Sequence, residues 1–137
     1  MDLKNILPFF KKKVLLVEDD CSVAQIQQKY LEQNGFKVEH YTNPEDVINK
    51  YGQNLDFDVL VTDLDMPQMS GIEMIRELNC GHKPIIMISG CDQIDVPQVK
   101  EVCDVFYTKH DVLYFLSSKI NDLIAEYELK NQENKAA

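Results

Sequence analysis

Phe57-Asp58-Val59-Leu60-Val61-Thr62-Asp63-Leu64-Asp65-Met66-Pro67 is the stretch on which the fold turns. The apolar run from Phe57 to Thr62 is short, aliphatic and β-branched, and it stops abruptly at acids and a proline. Such a run reads as a strand buried on both faces. Two more runs repeat the pattern. Lys13-Val14-Leu15-Leu16-Val17 stops at Glu18-Asp19-Asp20, and Pro84 to Ile88 stops at Ser89.

Helical patterns fill the spaces between. From Cys21 to Asn34 the apolar residues Val23, Ile26, Tyr30 and Leu31 fall at helical spacing, and Gly35 is placed to end the helix. Phe36 to Tyr41 alternates like a strand. Asn43-Pro44-Glu45-Asp46 then supplies a cap, a first-turn proline and acids for the positive helix end. Ser70-x-x-Glu73 is a capping box. The helix after it is short, and the region Gln93 to Val102 contains Pro97, which predicts a brief helix beginning near that proline. Asp104 to Thr108 reads as a fifth strand. A last helix opens at Asp111, with Val112, Phe115, Leu116, Ile120, Leu123, Ile124 and Tyr127 along one side. The polar tail, 131–137, is expected to fray.

Strands alternating with helices predict parallel pairing and right-handed crossovers. The fold class is therefore α/β: a doubly wound, five-stranded parallel sheet with helices on both faces. Sites in such sheets form at the carboxyl ends of the strands. Here those ends deliver Glu18, Asp19 and Asp20 from the first strand, Asp63 from the third, Ser89 from the fourth and Lys109 from the fifth. Crowded carboxylates raise each other's pKa unless a cation intervenes. Magnesium suits them, since it prefers oxygen ligands and often joins one or two carboxylates to a phosphate. Lys109 adds a mobile positive charge, and Ser89 can donate to a phosphoryl oxygen. Asp20 reads more simply as a helix cap.

Composition narrows the rest. The chain has 137 residues, enough for one domain with a sizeable core. A net charge of -9 argues against a nucleic-acid surface, and Lys11-Lys12-Lys13 is the only basic cluster. No apolar run is long enough to span a bilayer, and residues 1–11, an apolar extension, lack the marks of a signal peptide. That extension is expected to pack on the domain or anchor a partner. Cys21, Cys80, Cys91 and Cys103 form no C-x-x-C pair and read as reduced thiols in a cytoplasmic protein. His40 and His82 read as structural, and Cys80-Gly81-His82 has no second pair to complete a zinc site.

Val14-Leu15-Leu16-Val17-Glu18-Asp19-Asp20, Asp63-Leu64-Asp65-Met66-Pro67-Gln68-Met69-Ser70-Gly71, Ser89-Gly90 and Lys109 together resemble the receiver domain of bacterial two-component response regulators. The resemblance spans residues 12–130 and implies a flavodoxin-like receiver fold. It implies that Asp63 is the phosphoacceptor. Asp19 and Asp63 would bind Mg2+ directly, with Glu18 acting through water and the backbone carbonyl of Asp65 as a further ligand. Ser89 and Phe106 would be the switch pair and Lys109 the phosphoryl-contacting lysine. Asp65 and Cys91 would occupy positions that tune the lifetime of the aspartyl phosphate. A histidine kinase or histidine phosphotransfer protein would donate, and an unknown protein target would read the result. The expectation is a stand-alone signalling domain, not a turnover enzyme, whose long last helix suits a homodimer.

One departure stands out. The family follows its lysine with proline, usually in a cis bond, and this chain has His110. A non-proline cis bond costs about 2.5–4 kcal/mol, so a trans bond or strain is expected there. Two rivals remain: a degenerate receiver that binds partners without phosphate, and a haloacid-dehalogenase-like phosphatase suggested by Asp63-x-Asp65. The second expects its D-x-D near the first strand and a threonine where Pro67 stands.

Overall fold

The computed structural model describes residues 11–90, 96–108 and 112–136. The apolar extension, Cys91, Lys109 and His110 lie outside the described residues, and with them the expectations attached to those positions. Five strands alternate with five helices. They are β1 (Lys13–Val17), α1 (Cys21–Gln33), β2 (Lys37–Tyr41), α2 (Pro44–Tyr51), β3 (Val59–Asp63), α3 (Gly71–Leu78), β4 (Ile85–Ser89), α4 (Val96–Val102), β5 (Val105–Thr108) and α5 (Val112–Ala136). The sheet order is β2-β1-β3-β4-β5, and every pairing is parallel.

The period-2 geometry of each central strand divides the core into two halves. Leu15, Val17, Leu60, Ile85 and Met87 face one side, where Val47 and Tyr51 of α2, Met74, Ile75 and Leu78 of α3 and Val99 of α4 cover them. Val14, Leu16, Val59, Val61, Ile86 and Ile88 face the other, under Leu31 of α1 and Leu116, Ile120, Leu123 and Ile124 of α5. Burial on both faces is why β1, β3 and β4 are so uniformly apolar.

The helix ends follow local chemistry. Asp20 Oδ1 accepts the N–H groups of Ser22 and Val23 at 3.0 and 3.3 Å, capping α1 as expected. Asn43 caps α2 through the Glu45 N–H at 3.0 Å, and Ser70 caps α3 through the Glu73 N–H at 3.2 Å. Gly35 closes α1 at φ 91°. A left-handed Asn79, φ 51°, ends α3 after eight residues. α4 begins one residue before Pro97, where a proline costs no hydrogen bond.

Four readings need correction. β3 starts at Val59, not Phe57, and Phe57 is buried just before it. Ile26 is 59% exposed, because the buried stripe of α1 is Ala24, Gln27 and Leu31. At 100° per residue Ile26 lies about 130° round the helix from the centre of that stripe. Phe115 is also 59% exposed, one step outside the Leu116-Ile120-Leu123 stripe. Finally, α5 does not fray at residue 131 but continues to Ala136. Tyr127 Oη donates to Asp104 Oδ1 at 2.8 Å, and Lys12 pairs with Glu128 at 2.7 Å, so the helix stays tied to the domain past its apolar stripe.

Cys21, Cys80 and Cys103 are free thiols, and burial pushes Cys80 and Cys103 up to about 11. Cys80 and Cys103 are therefore neutral and unreactive at ordinary pH. No helix among the described residues is long and apolar enough to cross a membrane.

Candidate functional site

The chain reverses its direction of winding between β1 and β3, and the crevice at their carboxyl ends is where such sheets place their sites. Glu18 and Asp19 follow β1 directly, and Asp63 is the last residue of β3. One carboxylate oxygen from each of the three lies within 4.8 Å of the others. Glu18 and Asp63 are buried, at 2% and 3% exposure, while Asp19 is exposed. Among the described residues this is the only such cluster of three or more ligating side chains, and Cys80 and His82 join none.

Backbone contacts fix the turn at Glu18. The Glu18 N–H donates to the Tyr41 carbonyl at 3.1 Å, and His40 Nε2 donates to the Glu18 carbonyl at 2.8 Å. The partner is a carbonyl, which only accepts, so this nitrogen carries the proton. His40 is structural, as expected, but its task is to hold the acidic turn. Sequence gave only a faint signal for it: β2 ends beside β1.

Beyond Asp63, the Leu64 N–H donates to the Ile88 carbonyl and the Gly71 N–H to the Leu64 carbonyl, both at 2.8 Å. A Cβ on Gly71 would sit 2.4 Å from the Asp63 carbonyl oxygen. The spacing from Asp63 to Gly71 therefore has a steric cause. The loop folds back so closely over Asp63 that only hydrogen fits.

Ser89 ends β4 with no exposed surface, and its Oγ donates to Asp65 Oδ2 at 3.0 Å. The side chain of Asp65 is thus bonded to Ser89; no pattern in the sequence pointed to that bond. Phe106 pairs in register with Met87 and packs, half-buried, against the α2–α4 side of the core. It lines a groove of about 550 Å3 with Val99, Lys100, Cys103, Tyr107 and Lys119.

The donor set consists of oxygens alone, two of its three acids lie out of water, and the three crowd one another. A hard divalent cation with oxygen coordination fits that arrangement, whereas a zinc site would bring nitrogen or sulfur.

The response regulator receiver domain family matches residues 14–107 of the sequence. The chain belongs to this family. Its receiver domain resembles, at 36% identity over 85 residues, the cell cycle transcriptional regulator CtrA of Caulobacter vibrioides, covering 61% of this chain and 36% of that protein. The cell cycle response regulator CtrA of Brucella ovis is 35% identical over the same length and coverage. The match spans about a third of the length of these curated relatives. Among solved structures, a response regulator receiver domain protein from Clostridium thermocellum aligns with a TM-score of 0.78 at 26% identity, over 86% of this chain and 98% of that one. A CheY-like receiver domain protein from Methanospirillum hungatei aligns with a TM-score of 0.78 at 23% identity, over 88% and 98%, and supports the fold. Receiver domains bind Mg2+ at an acidic pocket and interact with histidine kinases or phosphotransfer proteins, and this chain carries the acidic cluster.

Proposed function

We propose that this receiver accepts a phosphoryl group on Asp63 from a histidine kinase or histidine phosphotransfer protein and signals through protein–protein contacts. The observation that carries the reading is the meeting of Glu18, Asp19 and Asp63 at the β1–β3 crevice, with Asp63 buried at its floor. Asp19 and Asp63 would hold Mg2+ directly, Glu18 through water, and the Asp65 carbonyl would complete the protein's share. Bound there, the ion would neutralise charge between Asp63 and the incoming phosphoryl group.

A carboxylate oxygen of Asp63 attacks phosphorus in line, the P–N bond of the donor phosphohistidine breaks, and the imidazole, already protonated on its other ring nitrogen, leaves as the neutral base. Transfer of this kind depends on positioning and electrostatics more than on covalent assistance. Ser89 then donates to a phosphoryl oxygen and Lys109 pairs with its charge. Phe106 follows Ser89 inward, and the groove it lines changes shape. A target that prefers the changed groove biases the equilibrium in return. Chemistry on the chain is limited to taking up the group and slowly hydrolysing it, and the cytoplasm supplies its partners.

The test is intact-mass measurement after incubation with acetyl phosphate and Mg2+. The expected result is a gain of one phosphoryl group that disappears in Asp63→Asn and on adding a chelator. No gain, under conditions that label a control receiver, would hand the lead to phosphate-independent partner binding.

A further inference from the structure

β2 ends beside the acidic turn, and its last two residues hold the Glu18 peptide groups on both sides. The Glu18 N–H donates to the Tyr41 carbonyl at 3.1 Å, one rung beyond the pairing of Val17 with Tyr41. Rungs of a parallel ladder are evenly spaced, so the next would run from the Asn43 N–H to the Glu18 carbonyl. Asn43 instead opens α2, where its side chain accepts the Glu45 N–H. The imidazole of His40 takes that place, with Nε2 at 2.8 Å from the Glu18 carbonyl oxygen. A side chain thus supplies the rung that the turn into α2 removes. Glu18 is 2% exposed, and a buried carbonyl without a donor is costly. The turn also carries strain of another kind: carboxylate oxygens of Glu18, Asp19 and Asp63 lie within 4.8 Å of one another, and their repulsion acts to open it.

We propose that His40 is a positioning residue for the magnesium site: by holding the Glu18 carbonyl, it keeps the acidic turn in the geometry that binds the ion. This rests on the reading of Glu18, Asp19 and Asp63 as that site. His40 is not one of the clustered ligand groups. It acts through the backbone of Glu18, and so on the Glu18 carboxylate and on Asp19, the next residue. A turn already held in place loses less freedom on binding, which strengthens affinity without adding a ligand.

The experiment follows urea unfolding of wild type, His40→Phe, His40→Asn and His40→Gln across a series of MgCl2 concentrations. The rise of unfolding free energy with magnesium gives each dissociation constant. Phenylalanine keeps a ring without the donor, asparagine carries an amide too short to reach, and glutamine places an amide N–H near the position of Nε2. The dissociation constant is expected to rise about tenfold in His40→Phe and His40→Asn, the lower end of the range for groups that support metal ligands from behind. His40→Gln recovers most of that loss. Glutamine carries no charge, so recovery assigns the effect to the hydrogen bond. The magnesium concentration for half-maximal labelling by acetyl phosphate rises by the same factor, while the rate at saturating magnesium stays within about twofold of wild type. Lower stability without magnesium but an unchanged dissociation constant would make His40 plainly structural and overturn the proposal. A glutamine variant no better than phenylalanine or asparagine would overturn it too. If His40→Phe does not fold, the asparagine–glutamine pair decides the same question. A wild type that ignores magnesium sinks the site and the proposal together, whereas a wild type that responds alongside unshifted variants sinks the proposal alone.

Discussion

Asp58 and Asp63 flank the same strand, and the protein uses them in opposite ways. Asp58, at the amino end of β3, is satisfied locally: its Oδ2 accepts the Lys13 N–H at 2.7 Å while its own N–H donates to the Lys13 carbonyl at 2.9 Å. Asp104 repeats the device between β5 and β4, taking the Ile85 N–H at 2.8 Å and returning its N–H to the Ile85 carbonyl at 2.9 Å. These acids staple neighbouring strands. At the carboxyl end Asp63 instead shares a cluster with two like-charged groups, Glu18 and Asp19. One edge of the sheet ties its carboxylates into the fold, and the other gathers three of them in one cluster. Identical residue types acquire their roles from what the strand ends bring beside them.

Magnesium should separate the two edges most sharply. A ligand bound only by the folded chain stabilises it by about 2.7 kcal/mol at a hundredfold excess over its dissociation constant. Wild type is expected to gain that much in urea unfolding, and Asp63→Asn to lose nearly all of the gain. Asp58→Ala should keep the full magnesium increment from a lower baseline. A magnesium increment that survives Asp63→Asn would place the ion elsewhere and break the contrast.

The second effect is the baseline itself. Hydrogen bonds to charged groups contribute about 1.5–3 kcal/mol, and Asp58 is partly buried beside Lys13. Asp58→Ala is expected to cost about 2 kcal/mol in magnesium-free urea unfolding. Asp63→Asn in the same buffer should cost little or add stability, because it relieves repulsion. Equal losses in the two variants would mean that both acids are structural.

The carboxyl-edge acids were legible because an apolar run that stops at acids is a local signal and the parallel α/β rule tells where such ends meet. The staples were not legible: Asp58 and Asp104 fell inside the expected strand runs, but the structure puts them just before β3 and β5, and their bonds appear only when β1 and β4 arrive beside them. Ile26 and Phe115 misled for a related reason. Apolar spacing sets a helical stripe only to within a residue, and 100° decides whether a side chain is covered. The length of α5 was missed because the expectation rested on apolar periodicity, which ends near Tyr127. Ala125, Glu126, Glu128, Lys130, Gln132 and Glu133 are good helix formers with no glycine or proline among them, so propensity continues where amphipathicity stops. The Ser89–Asp65 bond joins the end of β4 to the loop after β3 and leaves no pattern in either.

The smallest expected effect concerns an acid with the opposite surroundings, Glu39 on the edge strand β2. Burial alone would raise its carboxyl, but the bonds from Lys50, Tyr41 and Lys13 outweigh that and hold it well below the usual carboxylate range. A depressed folded pKa contributes stability above the unfolded value, about 4.3 for glutamate, and loses it as pH falls toward the folded value. The group is partly exposed, which screens the ion pairs and keeps the contribution within about 1 kcal/mol. Wild type is therefore expected to exceed Glu39→Gln in stability by a constant margin above pH 5, with the margin shrinking as pH falls toward 3. If the two stability curves run parallel through that window, the cations around Glu39 do not act on its titration. The contrast between an acid held by cations and the clustered acids of the carboxyl edge would then rest on the magnesium experiment alone.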